Sequence, residues 1–253
     1  MTHYSNLLKE WRKRRRLSQL DLAVEAEVSA RHISFLETGR SRPSADMIVH
    51  LSEVMNVPLS ARNQMMHAAG FAPRYSAKPL TDEAMSPIRE AVSWTLRRHA
   101  PYPGIVLDRI WNIVQMNTPA TRLFAPLGLA QGESLLALLQ NPILPNVIEN
   151  WPEVAYYTSL RLKAESTKAG GIPELDQAIA YLEPIAQIPD EEFRLPSIPT
   201  TYRFGSQRLS LFGTLAHFST VTDETLEDLR VELFFPADDE SAALLHSLDH
   251  GQT

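Results

Sequence analysis

No cysteine occurs among the 253 residues, and that one absence excludes disulfides, thiolate metal sites and cysteine nucleophiles together. It suits a reducing compartment without demanding one. No uninterrupted apolar run reaches the roughly eighteen residues that a membrane-spanning helix needs. The polar start Met1-Thr-His-Tyr-Ser5 carries no apolar signal-peptide core. A cytoplasmic chain with no membrane attachment is expected. Catalytic signatures are missing too: there is no His-Glu-x-x-His, Gly-x-Ser-x-Gly, Walker or dinucleotide pattern, and the eight histidines are scattered without metal-ligand spacing. Acidic clusters at Asp190-Glu-Glu192 and Asp238-Asp-Glu240 fall in expected loops or helix starts, where local dipoles and solvent favour acids. They read as surface. No enzyme, metal or cofactor is expected, and the chain has no repeat or low-complexity segment.

What is present is an ordinary globular composition, 44% hydrophobic and 21% charged, long enough for a small domain plus a medium one. The net charge of −6 is unevenly spread. Residues 1–78 hold 12 Lys and Arg against 7 Asp and Glu, a balance of +5, which leaves −11 for residues 79–253. Local positive charge suits phosphate contact, and an acidic second half keeps that half off nucleic acid.

Residues 5–16, 18–26, 29–38, 44–55 and 58–69 read as five short helices. Ser18, Ser29 and Ser44 are N-cap candidates, and Ser18 with Asp21 forms a weak capping box. Gly39 suits a helix C-terminus, and Pro43 and Pro58 bar continuation of a helix. The turn formers of Gly70–Pro79 carry no helical period, so the chain divides into residues 1–72, a linker at 73–83, and residues 84–253. Beyond the linker a helix is expected over 84–99. Then Ile105–Leu107 and Ile110–Met116 read as a hairpin turning at Asp108-Arg109. Asn117 caps a helix, and helical patterns follow at 133–140, 142–167 and 173–187, with Pro152 ending or kinking one of them. Strands at Tyr202–Phe204, Leu209–Thr220 and Leu229–Phe235, then a short helix from Asp238, close an α+β order with a small antiparallel sheet.

Ser18–Pro43 is the most specific segment. Leu22, Ala23 and Ala26 on one helix, with Ile33 and Leu36 on the next, are spaced to pack two helices across a tight turn. The second helix then projects a polar face bearing Ser29, Arg31, His32 and Ser34, as an element entering the major groove requires. The segment resembles the helix-turn-helix of the Xre (Cro/lambda-repressor) family. That resemblance implies that Gln19 contacts a phosphate, that Ala30, Arg31 and Phe35 meet base edges, that Arg40 and Arg42 contact the backbone, and that Arg12 pairs with Glu37 near the phosphates. One departure is visible. The family usually places Gly in the interhelical turn, where this chain has Glu27, and a non-Gly residue at positive φ costs roughly 1 kcal/mol.

Tyr102-Pro-Gly-Ile-Val-Leu-Asp108, Trp111-Asn-Ile-Val-Gln-Met-Asn117 with Leu123-Phe124, Trp151-Pro-Glu-Val-Ala155 leading to Leu160-Arg161, and Leu229–Pro236 make the chain from about 84 onward resemble the MmyB-like ligand-binding domain, a PAS-like fold. The resemblance implies a pocket for a small apolar ligand, with fatty-acid-like molecules the leading class. Trp94, Trp111, Met116, Tyr156, Tyr157, Phe212 and Phe218 are candidate walls, although aromatic residues and Met are core by default. Arg161 or His217 could meet a carboxylate. A buried Arg needs a partner, and a ligand acid or a protein carboxylate would serve equally. The expectation is a ligand-responsive homodimer on a double-stranded, pseudo-palindromic operator. The alternative is a regulator whose second domain binds a protein partner.

Overall fold

The computed structural model describes residues 3–188, 198–218 and 222–249; the acidic cluster at 190–192 and the expected strand end at Thr220 lie outside them. In chain order the helices are α1 (His3–Arg14), α2 (Gln19–Glu25), α3 (Ala30–Thr38), α4 (Ala45–Val54), α5 (Leu59–Ala68), α6 (Ser86–His99), α7 (Thr118–Phe124), α8 (Leu135–Leu139), α9 (Leu144–Val147), α10 (Trp151–Ala169), α11 (Pro173–Leu182), α12 (Glu224–Asp228) and α13 (Asp239–Asp249). The strands are β1 (Gly104–Leu107), β2 (Ile113–Met116), β3 (Thr200–Phe204), β4 (Gln207–Ala216) and β5 (Arg230–Pro236). The chain forms two compact units: residues 1–78 with 165–171 and 220–227, and residues 79–164, 172–219 and 228–253.

Local signals build the first unit. Ser18, Ser29 and Ser44 each accept a hydrogen bond from the backbone N–H three residues on, and Asp21 completes the capping box at Ser18. Orphan donors of the first helical turn are met this way. Gly39 ends α3 at φ 74°, in the left-handed region where a Cβ is costly. Glu27 stands at φ 52°. It is held there because Val28 N–H closes back on Ala23 C=O at 2.9 Å, a six-to-one helix ending that needs a left-handed residue in the turn. His50 Nε2, on α4, lies 2.7 Å from Ala26 C=O. Ala23, Ala26, Ile33 and Leu36 are buried in one cluster with Leu8, Trp11 and Ile48, so burial against α1 and α4 offsets the strain of the turn.

In the second unit the sheet runs β2-β1-β5-β4-β3, antiparallel throughout. β5 is its middle strand. Alternation sends Val231 one way, with Val92 and Leu96 of α6 and Val106 of β1, and Glu232 and Phe234 the other. The first hairpin turns over five residues, not the two expected. The Asp108 carboxylate accepts from Ile110 N–H (2.9 Å), Asn112 N–H (2.8 Å) and Asn112 Nδ2 (3.0 Å). This Asx arrangement leaves Trp111 at φ 62°, and β2 starts only at Ile113. Pro152 likewise does not end or kink a helix. It sits in the first turn of α10, where a missing N–H costs nothing, and the break falls before it, between α9 and α10.

Asn117 does more than cap α7. Its Oδ1 accepts from Ala120 N–H and Gly104 N–H, both at 3.0 Å, while Nδ2 donates to Leu96 C=O (3.0 Å) and Tyr102 C=O (2.9 Å). All four bonds are made by a buried side chain joining α6, β1 and α7. Asn117→Asp keeps the acceptors but loses both donated bonds and faces two carbonyls. A loss of about 2–4 kcal/mol in urea unfolding is expected, and Asn117→Ser should lose less because it buries no charge.

Candidate DNA-reading surface and ligand cavity

In the first unit, α1, α2 and α3 meet at one ion pair. Arg12 Nε and Nη2 donate to the two Glu37 oxygens at 2.5 and 2.9 Å, Arg12 Nη1 donates to Leu17 C=O at 2.7 Å, and Gln19 Nε2 donates to Glu37 Oε2 at 2.7 Å. Burial by itself would raise the Glu37 carboxyl. Hydrogen bonds from Arg12 and Gln19 outweigh it and hold the group below its ordinary value, while the Glu37 bond raises Arg12. Arg12 is buried, so it braces the end of α3 from beneath, and the Gln19 amide is drawn into the same brace.

The outer face of α3 is organised by Phe35. The Arg31 guanidinium lies 5.1 Å and the Arg40 guanidinium 5.9 Å from its ring centroid, within the range of cation–π attraction. Arg31, Ser29, Arg40 and Arg42 are exposed, while Ala30, His32, Ser34 and Phe35 are half-buried. One helix face and the turn after it therefore present two cations around one aromatic plate. That arrangement can meet both base edges and phosphates.

In the second unit an apolar cavity of about 110 Å³ lies between the sheet and the helices α8 to α10. Ile105, Tyr202 and Phe234 form its sheet wall, leucines of α8 and Leu144 of α9 close one side, and Trp111 enters from the hairpin turn. Trp151, Val154, Thr158 and Arg161 come from a single face of α10, as their three- and four-residue spacing requires. Arg161 Nη1 and Nη2 donate to Glu232 Oε1 and Oε2 at 3.0 and 3.2 Å. The same guanidinium lies 4.4 Å from the Trp111 ring centroid. Burial, then the nearby Glu232 charge, pushes the Tyr202 phenol above its usual value, so it stays protonated.

Of the expected wall residues, Trp111 and Arg161 line this cavity. Met116 stands at a separate polar cleft with Gln115 and Asn117. Tyr156 and Tyr157 are on α10 but pack edge to face on each other at 5.1 Å. Phe212 stacks on Phe235 at 5.7 Å, on the opposite side of the sheet from Phe234. Trp94 and His217 are exposed, and Phe218 packs beside Val92. Of the two partners open to Arg161, a ligand acid or a protein carboxylate, the structure has the protein's own Glu232.

Sequence reasoning did not single out Trp151, Thr158, Tyr202 or Glu232. Two signals were readable. One is the helical spacing 151, 154, 158, 161, and the other is a lone acid inside the apolar run Leu229–Pro236.

Residues 88–248 match the MmyB-like transcription regulator ligand binding domain, and residues 8–61 match a helix-turn-helix. The chain belongs to the MmyB-like transcription regulator family. It is a DNA-binding transcription regulator with a ligand-binding domain. No curated protein matches it. Among solved structures, the PAS domain of BvgS from Bordetella pertussis is similar at 9% identity, over 67% of this chain and 99% of that one, with a TM-score of 0.31. An RNA-binding light-oxygen-voltage receptor is similar at 14% identity, over 98% of this chain and 64% of that one, with a TM-score of 0.25. Both superpositions are loose. Among the described residues, no helix is long and apolar enough to cross a membrane.

The brace in this MmyB-like regulator has a pH signature. A carboxyl depressed in the folded state contributes stability that is present above its unfolded value and lost as pH falls through the folded one. The thermal stability of the wild type should therefore fall as pH drops below the ordinary carboxylate value of 4.5. Glu37→Gln should be less stable at neutral pH and flatter across that window, and Arg12→Ala should cost about 3 kcal/mol by leaving Glu37 buried and unpaired.

Proposed function

We propose that this chain is a ligand-responsive regulator that binds a double-stranded operator as a homodimer in the cytoplasm, one helix-turn-helix per half-site, and that a small apolar molecule in its cavity adjusts that binding. The observation that carries the reading is the apolar cavity beside the sheet, in whose described lining Arg161 is paired with Glu232. Such a site gains affinity from apolar burial and directs it with few polar groups. Fatty-acid-like molecules belong to this apolar class by the family resemblance. At about 110 Å³ the cavity is smaller than the roughly 150 Å³ that accepts benzene in an engineered protein core, so a long acyl chain requires the leucines of α8 and α9 to move. Ligand acts only through differential affinity for the DNA-competent and incompetent states.

On DNA, Arg31 is assigned to base readout, with Ala30 and Phe35 as apolar neighbours for thymine methyl groups. Ser29, His32 and Ser34 flank them, and Arg40 and Arg42 hold phosphates. Arg12 and Gln19 act through Glu37 as positioning residues. Selection of bound sequences from random DNA, with and without a cell lipid extract, reports operator, half-site spacing and ligand response together. Native mass spectrometry of the purified protein separates the readings of the second domain: retained small-molecule mass supports the cavity, and a co-purifying protein with no such mass supports a protein partner. On the selected operator, Arg31→Ala should relax specificity at one position and cost about 1–3 kcal/mol. Arg40→Ala should weaken all sequences and lower the salt slope by about one. Equal, sequence-blind losses would overturn the assignment of roles.

A further inference from the structure

The helix-turn-helix unit includes a stretch from late in the chain, residues 220–227, and that stretch runs straight into the strand that lines the cavity. Only Leu229 separates α12 from β5. Leu229 is buried with Val106 and Val231, and Glu232 and Phe234 of β5, a few positions on, form part of the cavity lining. The chain between this stretch and the cavity wall is therefore short and held.

Residues 223–227 are fastened to α5 and to the chain that follows it. α5 begins after Pro58, which makes no side-chain cap bond. The Glu227 carboxylate takes that place by accepting from Leu59 N–H at 2.6 Å, where negative charge also suits a helix N-terminus. Asn63, one turn further along α5, donates from Nδ2 to Glu224 Oε1 and to Tyr75 C=O, and its Oδ1 accepts from the Arg74 and Tyr75 N–H groups. Ser76 and Asp223 pair as a parallel bridge: Ser76 C=O accepts from Glu224 N–H at 2.8 Å, and the Asp223 carboxylate accepts from Ser76 Oγ and Lys78 N–H. Burial by itself would raise the Asp223 carboxyl, and these bonds, with those from the Thr225 and Leu226 N–H groups, outweigh it and hold the group below its ordinary value. From α5 the path to the recognition helix is packed side chains. Met65 and Met66 share a cluster with Leu8, Trp11, Ile33 and Leu36, and Arg12, next to Trp11, braces Glu37 on α3. A close-packed core of this kind switches between arrangements and does not deform freely.

We infer that residues 223–227 are the coupling clamp of this regulator: a molecule in the cavity shifts β5, and the shift changes the hold of Glu224 and Glu227 on α5 and so the setting of α3. This rests on the reading of the cavity as the ligand site and names the route by which that site acts. Glu224 and Glu227 are positioning residues that work through α5.

Acetophenone and octanoate serve as probes, one compact and the other fatty-acid-like, and the tighter binder is carried forward. Operator dissociation constants are measured on the full chain without probe and at probe saturation. The wild-type constants should differ by about fivefold or more. Glu227→Ala should bring the ratio below about twofold while its probe affinity, free of DNA, stays within about twofold of wild type. Ser44→Ala removes the N-cap of α4 in the same unit; it should lower thermal stability and keep the wild-type ratio. Amide hydrogen exchange of the wild type gives a second reading. Probe saturation should change the protection of Leu59 N–H by about threefold or more and leave Met47 N–H, which is bonded to Ser44 Oγ, nearly as it was. An unchanged ratio in Glu227→Ala overturns the inference, as does an equal fall in Ser44→Ala or a Leu59 amide that does not respond. In each of these cases the ligand-responsive reading stands. If neither probe binds, or if the bound probe leaves the wild-type operator constant unchanged, that reading falls and takes the inference with it. Should Glu227→Ala fail to fold, the Leu59 and Met47 amides decide alone.

Discussion

A carboxylate on the middle strand of a sheet has few ways to survive burial. Glu232 lies on β5 between β1 and β4, with side-chain neighbours Ile105 and Leu215 across the ladders, and an unpaired charge there would cost several kcal/mol. Arg161 supplies the pairing, and Trp111 supplies the flat surface against which the guanidinium rests. Much of the second unit follows from satisfying that pair. α10 must present the face that carries Trp151, Val154, Thr158 and Arg161. The Asp108 turn must hold Trp111 in a left-handed conformation so that its ring meets Arg161. What remains between sheet and helices is a space lined mostly by apolar side chains among the described residues.

The helix-turn-helix depends on a similar fork. Arg12 and Glu37 lock α1 to α3, Gln19 adds α2, and the bond set leaves Glu37 fully used. With α3 braced from beneath, Phe35 can hold Arg31 and Arg40 over its ring on the outer side. Two long cationic side chains are thereby partly ordered before they meet DNA, which lessens the entropy lost on binding. In each unit an Arg–Glu pair, buried in the first and half-buried in the second, fixes a scaffold, and an aromatic ring holds a guanidinium in place.

How much of this was readable from the residues varies with the range of the interactions. The first five helices were legible because serine caps, Gly39 and the prolines act within three or four positions, and the turn at Glu27 was reached through the family resemblance, which places a glycine there. The Arg12–Glu37 pair was reached through family resemblance, since 25 residues separate its members. The fold class of the second unit was legible from alternating strands and Asn117, but its details were not. A five-residue Asx turn looked like strand because Ile110 and Trp111 are apolar and β-prone, and Pro152 looked like a stop although it is a start. The cavity was harder still. Arg161 and Glu232 are 71 positions apart, and no local pattern says that a carboxylate of the chain, not of a ligand, completes the arginine. Tyr156 and Tyr157 had the right chemistry on the right helix, yet helical geometry turns them away from the face that Trp151 and Arg161 share.

The central claim is that one chain couples apolar occupancy of its cavity to the grip of its recognition helix. Linkage makes the test reciprocal: the affinity of acetophenone, taken as a small, largely apolar probe, is measured for the free protein and for the protein saturated with its selected operator. The two dissociation constants should differ by about fivefold or more, in whichever direction acetophenone shifts operator affinity and by the same factor. Equal constants, with acetophenone demonstrably bound in both states, would contradict a sensor and leave a DNA-binding protein with an uncoupled cavity.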